Sequence, residues 1–299
     1  MGNYKEPVFI VGMPRSGTTL LQGILCNTKR YFPMPETHFF VRATYNLPEK
    51  NLTEKHRKRI RRKLIKKLKF KIDQEFPDYL TTQKDIFEYL VDQFNSENAL
   101  TFLEKTPRHI FFYSKILEYF SDAKFICMVR EPKNVISSQI SNSPKQHKSV
   151  IRLSVLYNKI VTVILKIKEH KNVLLVRYED LTDQTDLTIE QVCNFLKIPY
   201  DAQFIENVTA PPGIVLPHEF WKYKNIYQKT VQKNREDKWQ KTLNKNQAST
   251  VNFITNSKAR QLGYISSYKC KEVFKGFQQD IKRLLCKSEL KKIASPIHG

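Results

Sequence analysis

Residues 8–12 read Val-Phe-Ile-Val-Gly, an apolar run that breaks into a short polar loop before a helical pattern begins near residue 18. This predicts a strand at 8–12 and a helix at about 18–27. Further on, Ile60, Leu64, Leu68 and Ile72 recur every fourth position among polar residues, and the spacing predicts a long helix over about 53–75. Another helix is expected over about 84–95. "ALTFLEKTP" reads as a short strand with a loop, and "RHIFFYSKILEYF" as an amphipathic helix ending near Ser121. "AKFICMVR" is continuously apolar and rich in strand formers, as in a strand buried on both faces. "EPKNVISSQIS" opens a further helix, with Pro132 near its first turn. A helix at about 150–169, a strand "NVLLVRYEDL", a helix "TIEQVCNFLKI" and a helix at 246–261 complete the pattern. No internal repeat or low-complexity linker interrupts it. Strand and helix alternating in this order argue an α/β fold with a parallel central sheet flanked by helices.

Composition agrees with a globular chain: of 299 residues 40% are hydrophobic and 27% charged. No run reaches the roughly 18–20 apolar residues that span a bilayer. The early strand leaves no room for a signal peptide, and Glu6 stands where a myristoylation signal wants Ser or Thr. The five cysteines are odd in number and lack a C-x-x-C pair, so free thiols in a reducing compartment are expected, and with them a cytoplasmic location. No spacing suits a metal.

Charge changes the picture more. The formal net charge is +22, and Lys55–Lys71 alone holds eleven Lys or Arg with no acid, so half of the excess is local. Such a surface attracts polyanions. The bland reading of the stretch is a solvated helix face; the functional one is an electrostatic contact with an anionic donor, acceptor or membrane surface. It lacks the aromatic platform of a dedicated nucleic-acid module.

The candidate chemistry begins where the first strand ends. Gly12 and Gly17 bracket a G-x-x-x-x-G loop that leads from strand to helix, in a chain with only 8 glycines. Backbone N–H groups there converge on an anion at the helix N-terminus. In nucleotide hydrolases a lysine follows the second glycine and grips the β- and γ-phosphates. This loop has Thr18 and Thr19 instead, and Arg15 within it, whose guanidinium suits phosphate or sulfate oxygens.

"VFIVGMPRSGTTLLQ", "EKTP", "AKFICMVREPKNVISSQ" and "VLLVRYEDL…FLKIP" together resemble the sulfotransferases that use 3′-phosphoadenosine 5′-phosphosulfate (PAPS). The likeness spans about 7–264, closing at "QLGY", and is nearer the bacterial and tyrosylprotein types than the cytosolic phenol and steroid types. It implies a P-loop-containing sulfotransferase-like fold in one domain over 1–299. Residues about 50–98 would be a basic helical insertion and 265–299 a C-terminal extension. By resemblance, Arg15, Ser16, Gly17, Thr18 and Thr19 hold the 5′-phosphosulfate, and Arg130 and Ser138 hold the 3′-phosphate. Tyr178 lies near the adenine, and Lys233, Arg235 and Lys238 are candidates for a loop over the 3′-phosphate.

The acceptor needs a general base. Where phenol and steroid sulfotransferases carry "KTH", this chain reads Lys105-Thr106-Pro107. Other members use a glutamate after the P-loop helix, and "PMPETHFF" supplies Glu36 at that place. His38 and His109 are rival bases or acceptor contacts. Lys105 aligns with a family lysine near the transferring group, where it and Arg15 would stabilise charge on the bridging oxygen. The expected reaction is in-line transfer of a sulfuryl group to a hydroxyl or amine of a small-molecule acceptor, with 3′,5′-ADP (PAP) leaving and no metal. Glycan or tyrosine sulfation, a P-loop kinase or hydrolase, and a non-catalytic polyanion-binding protein are the alternatives.

Overall fold

In a computed structural model of the chain, residues 4–68, 72, 74–95, 101–141, 149–206, 208 and 236–284 are described. Five strands, β1 (Val8–Gly12), β2 (Phe32–Met34), β3 (Phe102–Glu104), β4 (Lys124–Val129) and β5 (Val173–Arg177), form one parallel sheet in the order β2-β3-β1-β4-β5. Their apolar runs are continuous because both faces are covered. Phe9, Val11, Phe125, Cys127 and Phe102 enter one core, while Val8, Ile10, Ile126, Met128 and Leu103 enter the other. On the first face Phe9 stacks on Phe125 at 5.5 Å and meets Phe102 edge-on at 5.7 Å. Removing a ring at such a site costs about 3–5 kcal/mol.

The helices are α1 (Thr18–Cys26), α2 (Glu54–Leu68), α3 (Gln83–Phe94), α4 (Tyr113–Tyr119), α5 (Pro132–Ser141), α6 (Val150–Ile167), α7 (Tyr178–Asp183), α8 (Thr185–Leu196), α9 (Lys245–Arg260) and α10 (Cys270–Leu284). None of them is long and apolar enough to cross a membrane. Central β1 lies between β3 and β4, so the chain runs outward on opposite sides of it. The C-terminal ends of these strands therefore form the crevice in which open parallel sheets bind ligands.

Several expected elements are redrawn. The helix expected over 53–75 is described as Glu54–Leu68, and Ile72 and Gln74 lie outside it, their carbonyls taken by Arg61 at 2.6 Å and 2.9 Å. The segment after "EKTP" begins as a 3₁₀ helix, Pro107–Phe112, before α4. There the Glu104 carboxylate binds both Thr106 N–H and His109, which tightens the turn. The strand read through "RYEDL" stops at Arg177, and Tyr178 starts α7. Three elements had no clear pattern: β2, whose Pro33 is tolerated on an edge strand, the π-helical turn Phe39–Ala43, and α10. Helix α10 packs against α9 at Gly276, where an added Cβ would come within 2.0 Å of Thr250 Oγ1. From there Asp280, itself buried, accepts hydrogen bonds from the Ser149 hydroxyl and the Ile151 N–H at the start of α6.

Candidate active site

The loop from β1 to α1 is held in shape by its own residues. Gly12 and Gly17 have φ of +133° and +92°, and Arg15 has +76°. A Cβ on Gly12 would collide with the Met128 carbonyl at 2.1 Å, and one on Gly17 with the Tyr178 ring at 2.4 Å. Ser16 is buried, and its hydroxyl donates to Met13 O at 2.7 Å and reaches Met128 O at 3.2 Å. It therefore serves the loop through its backbone and its fixed side chain. Gly17 caps α1 without any side-chain hydrogen bond, and no acidic residue lies in the first turn, which opens at Thr18 and Thr19. Such a helix start, with no carboxylate in its first turn, can accept an anion.

Three residues predicted from distant segments meet beside this loop. Arg15 Nε donates to Ser138 Oγ at 3.3 Å, and Arg130 donates to the Arg15 carbonyl at 3.4 Å. The Arg130 guanidinium stacks 4.0 Å from the centre of the Tyr178 ring, the ring on which Gly17 also rests. Tyr178 is held by its neighbour Glu179, which accepts from Glu131 N–H at 3.0 Å and from the Tyr264 hydroxyl at 2.7 Å. The "RYED" and "QLGY" segments thus meet through one carboxylate. Lys233 and Arg235 lie outside the described residues. Lys238 is exposed, in a 3₁₀ turn (Glu236–Lys241) that packs on α5, where Lys133 sits 4.5 Å from the Trp239 ring.

On the other side of β1 the ends of β2 and β3 carry a second cluster. Glu36 Oε1 accepts from Lys105 Nζ at 2.5 Å, and Oε2 lies 3.1 Å from His38 Nε2. Lys105 is buried while a third of the Glu36 side chain reaches solvent. Burial opposes charge on Glu36, but the Lys105 ammonium and the His38 contact outweigh it. They hold the carboxyl well below the usual carboxylate range. Glu36 is therefore charged, and His38, in the left-handed region at φ +46°, steadies it.

Glu104 frames this cluster, and the motif reading missed it. Fully buried at the end of β3, it accepts from Thr37 Oγ1 (2.9 Å), Thr106 Oγ1 (2.6 Å) and Thr106 N–H (3.1 Å), and contacts His109 Nδ1 at 3.0 Å. Burial opposes its ionisation too, yet His109 and the two threonines keep its carboxyl below the usual range. Thr106 also accepts from His38 N–H at 3.3 Å, so the Glu36 loop and the Lys105 loop share one frame. A carboxylate ending the otherwise apolar strand Phe102–Glu104 was the available signal. His109 is sealed beneath this frame with no exposed surface, against the Phe40 ring at 5.0 Å, so it meets neither the crevice nor an acceptor. Among the described residues no group of three or more His, Cys, Asp or Glu is placed to hold a metal ion.

A model of the sulfotransferase family matches residues 7–202. The chain is 24% identical to the sulfotransferase domain of the Synechococcus PCC 7002 olefin synthase, with a TM-score of 0.59 over 89% of this chain and 98% of that one. Mouse sulfotransferase SULT7A1, solved with PAP, shares 13% identity at a TM-score of 0.51, covering 87% of this chain and 86% of that one. An uncharacterized protein of Aquifex aeolicus (strain VF5) is 24% identical over 244 residues, which is 77% of this chain. The match occupies 30% of that protein, so the chain spans less than a third of the length of this curated relative.

Proposed function

The chain belongs to the sulfotransferase family, and on that premise we propose that it transfers a sulfuryl group from PAPS to a hydroxyl or amine of a small-molecule acceptor, with Glu36 as general base. The observation that carries this reading is the split along the sheet edge: an anion-binding loop joined to Arg15, Ser138, Arg130 and Tyr178 on one side, and the Glu36–Lys105 pair on the other. The cradle suits the donor. The uncapped start of α1 takes the 5′-phosphosulfate, Arg130 and Ser138 the 3′-phosphate, and the Tyr178 ring the adenine side. The mouse structure's bound PAP supports the same ligand class.

Glu36 takes the acceptor proton as the acceptor oxygen or nitrogen bonds to sulfur. The bond from sulfur to the bridging oxygen breaks, and its electron pair stays on the 5′-phosphate of PAP. Arg15 and Lys105 stabilise that charge. A carboxylate gripped at 2.5 Å by Lys105 is a weak base. We infer that Lys105 turns from Glu36 toward the donor's sulfate when PAPS binds, which raises Glu36's basicity only when the donor is in place. Glu36→Gln should lower turnover of labelled PAPS by about 10²–10⁴-fold and leave PAP affinity by calorimetry unchanged. Undiminished sulfation would remove Glu36 from this role, and absence of PAP binding by the unaltered chain would overturn the donor assignment.

A further inference from the structure

Seven large hydrophobic side chains stand exposed among the described residues, and five of them crowd into one stretch of the chain. These are Phe253 on α9, Ile265 and Tyr268 in the connection after it, and Phe274 and Ile281 on α10. Single exposed apolar residues are ordinary, whereas a group of them marks a surface that meets something. Side-chain contacts join this group: Phe253 meets Tyr268 edge-on at 5.2 Å and Phe277 at 6.5 Å. Phe277 shares a stripe of α10 with Phe274 and Ile281, because positions three and seven apart lie on one helix face. The frame beneath is fixed. Helix α10 lies close on α9 at Gly276, and the connection is tied to α9 where Asn252 donates to the Ser267 carbonyl at 2.6 Å and the Ser266 hydroxyl to Asn256 at 3.2 Å. Leu262 and Tyr264 are buried, with the Tyr264 hydroxyl on Glu179, so Ile265, 97% exposed, projects from anchored backbone.

Charge selects the occupant. From residue 245 to 281 the sequence has six Lys or Arg and two acids. Both acids turn inward: Glu272 accepts from the Ser249 hydroxyl, and buried Asp280 from the Ser149 hydroxyl and the Ile151 N–H. Arg260, Lys269, Lys271 and Lys275 are exposed in the same segments as the apolar side chains, with Lys271 and Lys275 on either side of Phe274. A second copy seated here by two-fold symmetry would set these cations against their own counterparts, which like charge opposes. Aromatic and aliphatic side chains projecting from an amphipathic helix among lysines instead fit the boundary between anionic headgroups and acyl chains. We propose that α9, α10 and the connection between them form a peripheral docking surface for an anionic lipid bilayer. Ile265 and Phe274 enter the acyl boundary, and Lys269, Lys271 and Lys275 meet the headgroups. The contact is interfacial, since no described helix is long and apolar enough to cross the layer. It goes beyond sulfuryl transfer and does not depend on it.

Co-sedimentation of the full chain with vesicles of phosphatidylcholine, alone or with about a third phosphatidylserine, reads the contact. The unaltered chain should bind the anionic vesicles about tenfold or more tighter than the neutral ones. The double variant Ile265→Ser, Phe274→Ser keeps every charge. It should weaken that binding about tenfold or more, while the melting midpoint and PAP affinity hold. Ile265 is 97% and Phe274 66% exposed, so serine at these positions leaves the fold intact. Lys271→Glu with Lys275→Glu should remove most of the preference for phosphatidylserine. Absence of binding to the anionic vesicles would overturn the proposal. So would binding unchanged in the double serine variant, the result that attraction to the exposed α2 cations alone would give. Self-association in sedimentation velocity that the double variant abolishes, with no vesicle binding, would assign the patch to a second copy and overturn it as well.

Discussion

Single residues decide the site through fixed contacts. Gly17 is required by a φ of +92° and by a Tyr178 ring 2.4 Å from where its Cβ would stand. Gly17→Ala should destabilise the chain by about 1–3 kcal/mol, the strain of an unfavoured backbone. By displacing the ring under Arg130 it should also weaken PAP binding by about tenfold, or 1.4 kcal/mol. Thermal melting and PAP titration read the two effects separately. Glu104 is a positioning residue that acts through Thr37 and Thr106. Glu104→Gln leaves His109 facing an amide and should cost about 3–5 kcal/mol, the loss expected on breaking a buried pair. Glu36 and Glu104 both have folded-state values below their unfolded ones. Their contribution is thus fully present above the ordinary glutamate value of about 4.3 and is lost as pH falls through the depressed values. Denaturant midpoints of the wild type should fall as pH drops below about 4.3, and those of Glu104→Gln should fall less over the same range.

At the scale of elements, the site depends on what anchors each strand end. Helix α1 places its Gln22 amide on the Met34 carbonyl at 3.0 Å, which fixes the end of β2 from which Glu36 projects. Helix α6 carries Arg152 and begins with Ser149 as its cap, and Asp280 from α10 reinforces that start. Asp280→Ala should therefore cost about 0.5–2 kcal/mol, the worth of a helix cap. In differential scanning the midpoint should drop by a few degrees while PAP affinity holds, because the proposed donor cradle belongs to α1, α5 and α7. A loss of PAP binding with no change in the midpoint would contradict this division of labour.

Over the whole molecule the net charge of +22 is unevenly used. Within α2, Arg57 is buried, donates to the Leu52 carbonyl at 3.0 Å and pairs with Asp78, while Arg61 and Lys63 bind backbone carbonyls. Lys55, Arg59, Arg62 and Lys66 face solvent. Changing these four to glutamate should leave the melting midpoint within about 2–4 °C, whereas Arg57→Ala should lower it further. The same quadruple change should slow PAP association at low salt and lose its effect as screening rises, as stopped-flow measurements across ionic strength would record. Much of the architecture was legible beforehand. Continuous apolar runs at β1 and β4 declare strands covered on both faces, and the two bracketing glycines declare a tight strand-to-helix loop, because period and backbone permission are local properties. Arg130, Ser138 and Tyr178 were named from the likeness of their motifs to those of the sulfotransferases, and the structure brings them together beside Arg15. The limits of α2, the existence of α10, the burial of His109 and the role of Glu104 depended on residues far apart in the chain. Periodicity could not show that the chain folds back to Arg61, nor that a strand-end carboxylate ties the Glu36 and Lys105 loops together. The order β2-β3-β1-β4-β5 was likewise beyond local pattern, and it alone sets Glu36 and Lys105 across β1 from Arg130, Ser138 and Tyr178. Local sequence determined which groups are chemically competent, and tertiary packing decided which of them meet, because charge, burial and hydrogen-bond partners are set by neighbours in space.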